Sequence, residues 1–187
     1  NVTTSGAQSY ADAVTITGSA VTLNSSSGSG AVLFSSTVNS AANVGNTASA
    51  VNPLTVSAGS GNVTFTGVVG GATNGTLGAL TVNTTGTTTF SAAVTATSVT
   101  TNAGGTVAIN GAAITTTGAQ TYNDAVTLGA DTTLTATTAT FNGTVTGAYA
   151  LTITGNAVFG DATADTVTLS GTSKALSVSG TSTINAN

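Results

Sequence analysis

The side chains able to do acid, base or electrostatic chemistry here are Asp12, Asp124, Asp131, Asp161, Asp165 and one cation, Lys174, in a chain without glutamate, arginine, histidine or cysteine. General acid–base catalysis draws mainly on histidine and on carboxylates of shifted pKa, and glycoside cleavage needs two positioned carboxylates. Asp161 and Asp165 with Lys174 come nearest to such a cluster. A single lysine cannot hold an acidic polysaccharide, so the chain reads as no enzyme, with no catalytic residue, cofactor or metal. Asp12, Asp124 and Asp161 each follow an aromatic by two residues, and as one column they would suggest calcium or a sugar. Ser36, Gly67 and Ala92 stand at that place after Phe34, Phe65 and Phe90. The favoured reading is therefore a turn aspartate accepting backbone N–H bonds. The Gly-Asp nonapeptide of calcium-binding β-rolls does not occur.

Hydroxyl chemistry is the other resource. Thr-x-Thr recurs at Thr15/Thr17, Thr95/Thr97, Thr133/Thr135/Thr137, Thr152/Thr154 and Thr166/Thr168, and a flat threonine array is what some ice-binding solenoids expose. Its irregular spacing favours ordinary strand alternation. Asn-x-Ser/Thr sequons begin at Asn1, Asn24, Asn62, Asn74, Asn83 and Asn142, as chance provides in a chain so rich in these residues.

Charge narrows the partners. Only 3% of residues are charged and the net charge is -4, against about 25% charged in an ordinary soluble domain. Nucleic acid and anionic membranes are bound through Lys and Arg, so neither is an expected partner. No apolar run reaches the roughly 18 residues of a membrane helix, and a membrane β-barrel would need aromatic girdles and a charged lumen. The chain has no methionine and reads as a processed chain or an excerpt. Zero cysteine fits a protein threaded unfolded across an envelope.

The elements that would position these residues are short strands. Val14-Thr15-Ile16-Thr17, Leu54-Thr55-Val56, Leu80-Thr81-Val82, Leu151-Thr152-Ile153 and Val167-Thr168-Leu169 alternate aliphatic and hydroxyl residues, the period of a strand with one buried face. Turns are expected at Gly70-Gly71, Asn74-Gly75 and Asn142-Gly143, and an insertion at Ser25–Gly30. An aromatic followed four positions later by valine recurs at Tyr10/Val14, Phe34/Val38, Phe65/Val69, Phe90/Val94, Tyr122/Val126 and Phe141/Val145. Phe159 has Thr163 in the valine slot. These are the residues expected to stack as one element.

SGAQSYADAV at Ser5–Val14 returns as TGAQTYNDAV at Thr117–Val126. The closing STINAN joined to the opening NVTTSGAQSYADAV also matches Val107–Val126 without a gap. The first offset, and the return implied by that join, both divide evenly into units of roughly 19 residues, the length of a β-solenoid coil. Tyr122, Phe141 and Phe159 recur at the same interval. The expectation is an all-β parallel β-helix over 1-187, about ten coils of roughly 19 residues, spanning roughly 48 Å at about 4.8 Å per layer. Neither end shows a cap, so the segment reads as one period of a longer tandem array.

Thr115–Gly147, TTTGAQTYNDAVTLGADTTLTATTATFNGTVTG, with its partner at the N-terminus, resembles repeats of bacterial surface exoproteins of the filamentous haemagglutinin type. The resemblance implies a right-handed parallel β-helix, secretion to the extracellular surface, and a role in fibres for adhesion and biofilm cohesion. The expected partners are further copies of the chain, in covalent tandem or end to end. The alternative is an adhesin module contacting host or matrix glycans, with Asn39–Pro53 as the candidate loop.

Overall fold

Alternating aliphatic and hydroxyl residues give each segment one face for a core and one for water, and in the computed structural model these faces close into a three-sided parallel β-solenoid. The structure describes residues 1–41, 51–172 and 174–185. Side I holds Val2–Thr3, Val21–Asn24, Leu54–Gly59, Leu77–Thr84, Gln120–Tyr122 and Ser182–Ile184. Side II holds Gln8–Tyr10, Val32–Phe34, Val63–Phe65, Thr87–Phe90, Thr106–Ile109, Ala125–Leu128, Val145–Gly147 and Val167–Leu169. Side III holds Val14–Ile16, Val38–Ser40, Ala113–Thr116 and Leu176–Val178. Val94–Thr101, Thr132–Phe141 and Leu151–Phe159 run through the corner from side III into side I. Every strand pairing among the described residues is parallel, and the helical content among them is one 3-10 turn, Ser26–Gly28. Among the described residues no helix is long and apolar enough to cross a membrane.

Register defines three inward columns. Side I stacks Val2, Leu23, Val56, Val82, Thr101, Tyr122, Phe141, Phe159 and Ile184. Side II stacks Tyr10, Phe34, Phe65, Phe90, Ile109, Leu128, Gly147 and Leu169. Side III stacks Val14, Val38, Val69, Val94, Ile114, Leu134, Ile153 and Val178. From Phe34 to Phe159 the members of these columns are buried, save Gly147, and their apolar side chains form one continuous core.

The described residues make eight coils, not ten of equal length. Tyr10, Phe34, Phe65 and Phe90 are successive members of one column, so each of the long, unequal stretches between them is a single coil. Among the described residues the extra length leaves the triangle at the corners. Ser25–Gly30 does form such an insertion, around the 3-10 turn. A second follows Val69, where Gly70 (φ 70°) and Asn74 (φ 58°) take left-handed conformations. From Phe90 to Gly147 the coils settle at the regular length of about 19 residues, as from Thr87 to Thr106 and from Asn123 to Asn142. Asn142-Gly143 turns without any positive φ.

Close layer spacing also dictates residue size at the corner from side I to side II. A Cβ on Gly30 would lie 2.3 Å from the backbone carbon of Gly6, one on Gly61 2.6 Å from Gly30, and one on Gly105 2.3 Å from the Gly86 carbonyl oxygen. No side chain fits such gaps without moving the backbone. Gly6, at the first layer, has nothing within 4 Å of its Cβ position. Gly105→Val should therefore lose about 1–3 kcal/mol of stability through overpacking, read as a lowered thermal midpoint. Gly6→Val should stay at wild type in the same measurement on the single, unassembled chain.

Candidate functional site: ring stacks and corner ladders

The sequence predicts a single aromatic column, but the rings form two. On side II, Tyr10, Phe34, Phe65 and Phe90 stack with centroids 5.1, 4.8 and 5.4 Å apart and interplanar angles of 13°, 7° and 17°. On side I, Tyr122, Phe141 and Phe159 stack at 5.3 and 5.4 Å. Near-parallel rings in this range add about 0.5–1.5 kcal/mol per pair beyond the area they bury. The partner valines divide in the same way. Val14, Val38, Val69 and Val94 lie on side III, whereas Val126 and Val145 lie on side II and pair with each other. The aromatic-x-x-x-valine stretch thus crosses whichever corner follows its ring, and the element moves by one side between Phe90 and Tyr122.

Packing explains why no coil holds more than one inward ring. The triangle is filled from three sides, and a large side chain on one leaves room for smaller ones on the others. Where Phe141 occupies side I, the next side II position is Gly147, whose Cβ would come within 2.8 Å of the Leu128 side chain. The coil at the changeover has no ring, and Thr101 and Ile109 stand in the two competing columns. Thr101 is fully buried and its hydroxyl lacks a well-formed partner.

The repeated GAQ-[ST]-Y stretch is a hydrogen-bonded corner that keeps its internal geometry on both sides. Tyr10 Oη donates to Gln8 Oε1 (2.8 Å), and Gln8 Nε2 donates to Thr4 Oγ1 (3.2 Å) and to the Asn24 carbonyl (3.0 Å). Tyr122 Oη donates to Gln120 Oε1 (3.0 Å), and Gln120 Nε2 to Thr116 Oγ1 (3.3 Å) and to the Thr135 carbonyl (3.1 Å). The Thr4 and Thr116 hydroxyls bind the carbonyls of Gly6 and Gly118. Burial raises the phenol pKa of Tyr122, and that of Tyr10 less, so both remain donors. Sequence reading found these residues as a match without seeing that their polar atoms satisfy one another.

A second feature escaped sequence reading. Immediately after the inward residues of side I stand Thr3, Asn24, Ser57, Asn83, Asn102, Asn123, Asn142, Gly160 and Asn185, six of these nine being asparagine. Asn142 Nδ2 donates to Asn123 Oδ1 (2.6 Å), Asn123 Nδ2 to the Thr101 carbonyl (2.6 Å), Asn102 Oδ1 accepts the Thr84 N–H (2.6 Å), and Asn185 Nδ2 donates to the Gly160 carbonyl (3.2 Å). Their shared place after a buried residue was the available signal, hidden by unequal spacing. Beside them Thr22, Thr55, Thr81, Thr100, Thr121 and Thr140 lie in one outward register. That column is single file. On side III, Thr133/Thr135 and Thr152/Thr154 stack two abreast.

The acidic residues do not converge. Asp12 is exposed. Asp124, on a different corner, is 2% exposed and accepts the Gly105 N–H at 2.7 Å. Its other oxygen has no well-formed partner, with the Thr101 hydroxyl beside it. Burial pushes this carboxyl above the ordinary range, and the Gly105 N–H and Thr101 hydroxyl draw it only partly back. Asp165 Oδ2 caps a turn by accepting the N–H groups of Asp161 and Ala162. Lys174 joins neither. It pairs with Asp131 (2.9 Å) and lies 5.7 Å from the centroid of the Tyr149 ring. The Ala150 N–H first, and Lys174 second, hold Asp131 below the usual carboxylate range.

Of the candidate loop, 42–50 lies outside the described residues; at its edge Asn52 is buried and donates Nδ2 to the Ile16 carbonyl at 2.8 Å. Among the described residues no three acidic, His or Cys side chains are grouped so as to hold a metal ion. No family model, curated protein or solved structure matches the chain.

Phe65→Ala, in the middle of the four-ring stack, should cost about 3–5 kcal/mol in denaturant unfolding. The half-buried end ring, in Tyr10→Ala, should cost less. Because the folded-state pKa of Asp124 is raised, the native state binds more protons than the unfolded chain above pH ~3.9, and stability falls as pH rises through that interval. Asp124→Asn should melt above wild type at pH 7, and the difference should vanish below about pH 4. A difference that persists at low pH would place the effect in packing instead.

Proposed function

We propose that the chain is a structural segment of a secreted, cell-surface fibre, a shaft whose parallel ladders continue from copy to copy. The observation that carries this reading is the use to which the polar groups are put. Threonine, asparagine and glutamine side chains bind the coils above and below, and few are gathered into anything resembling a site. No enzymatic step is part of this function. The residues on which it depends are the two ring stacks, with mechanical continuity carried by backbone ladders and a dry aliphatic column. Near-absence of charge supports the reading physically, since a charge stacked on its copy every ~4.8 Å would be repelled by its neighbours.

Resemblance to filamentous haemagglutinin-type repeats supports the extracellular location and the partnership with further copies. A glycan-binding role would call for a patch of exposed aromatics. The described residues expose one aromatic side chain of the eight to more than about a third, Tyr149, and Lys174 already lies over it. The shaft is therefore the preferred reading.

The purified chain should form unbranched fibres in electron micrographs, with a meridional reflection near 4.8 Å. Raising salt from about 0.05 to 1 M should leave assembly unchanged, because so few charges are present to be screened. Particles that stay monomeric at all concentrations, or dissolve with salt, would refute it.

A further inference from the structure

We infer that a second copy joined to this one continues the solenoid with every column advanced by one side of the triangle. This rests on the fibre reading and specifies its joint. The described residues place no layer on the last coil, where Leu176 is 41% and Ile184 69% exposed, or beneath the first, where Val2 is 42% exposed.

The chain itself shows how the joint would run. In the internal stretch the inward residues pass from Ile109 on side II to Ile114 on side III, Tyr122 on side I and Val126 on side II. The joined ends present Ile184, Val2, Tyr10 and Val14 at the same intervals. Ile184 lies on side I. The step from Ile184 to the next Val2 equals the step from Ile109 to Ile114, enough to turn one corner and too short to circle the triangle. The next Val2 therefore falls on side II above Leu169, Tyr10 on side III above Val178, and Val14 on side I above Ile184. Each of these steps lies close to the regular coil of roughly 19 residues found between Phe90 and Gly147.

Within one copy Val2, Tyr10 and Val14 occupy sides I, II and III, so the joint shifts each by one. The sides tolerate this exchange, because the GAQ-[ST]-Y corner already keeps its hydrogen bonds on side II at Tyr10 and on side I at Tyr122. Gly6, within the same matched stretch, fits this joint. Its counterpart Gly118 has a Cβ position 2.8 Å from the Thr97 carbonyl in the coil below, whereas Gly6 faces open space. A glycine is placed where a lower layer would require it. Each copy then contributes eight and one third turns, about 40 Å of rod at about 4.8 Å per layer, and three copies bring a column back to its own side.

Cysteine pairs read the register directly, since the chain has no native cysteine. Two copies are fused head to tail without a linker, with Ser9→Cys in the second and either Ser177→Cys or Thr168→Cys in the first. Ser177 flanks Val178 and Thr168 flanks Leu169 on the outer surface. Neighbouring parallel strands lie within disulfide reach. The advanced register predicts an intramolecular disulfide for Ser177 with Ser9, at least about tenfold over Thr168 with Ser9. Gly6→Val in the second copy should suppress it. Preference for Thr168, no disulfide in either pair, or indifference to Gly6→Val would overturn the inference. Fibre formation by the single chain is scored separately, so a wrong register and a failure to form fibres give different results.

Discussion

The stacking of each residue on a counterpart one layer away, at the ~4.8 Å spacing of a parallel ladder, is the constraint on which the rest of this molecule depends. It rewards groups that attract their own kind. Rings lie flat on rings, asparagine amides donate to the layer below, and aliphatic columns exclude water. It penalises groups that repel themselves, which accounts for a chain with six charged side chains. Asp124 shows the cost of an exception. It sits at the corner that earlier layers fill with glycine, is shielded from water, and holds its carboxyl above the ordinary range despite the Gly105 N–H.

A second constraint follows from closing the coil. Three sides share one small cross-section, so their volumes are coupled: a ring on one side asks for a smaller residue on the next. This allows the aromatic stack to leave side II after Phe90 and resume on side I at Tyr122 with the core still filled. The rod behaves as a pseudo-threefold object whose sides are interchangeable for any motif that carries its own hydrogen bonds. Additional length is absorbed at corners, where the backbone can leave the triangle without breaking a column.

The joint inferred between copies uses the same freedom. Nothing in it differs in kind from what occurs inside the chain between Phe90 and Tyr122. Low charge, like-on-like stacking and tolerance of side exchange are one physical property seen at three scales.

Sequence alone determined the class of fold and the identity of the core. Alternation of Val, Leu and Ile with Thr fixes which atoms face inward whatever the topology, because successive side chains on a strand point to opposite faces. The ring residues and their valines stood out in the sequence by a different signal, the recurring four-residue spacing from aromatic to valine. What only the tertiary structure decided is phase: which side each ring occupies, where one coil ends, and hence that there are eight coils rather than ten. A stretch such as Tyr10 to Phe34, or Phe34 to Phe65, does not distinguish one lengthened coil from a coil and a fraction, since corner insertions leave no mark on the alternation. The asparagine ladder was hidden by that ambiguity. Its members share a column only once the coil lengths are known, and those are set by backbone pairing between layers rather than by any local residue pattern.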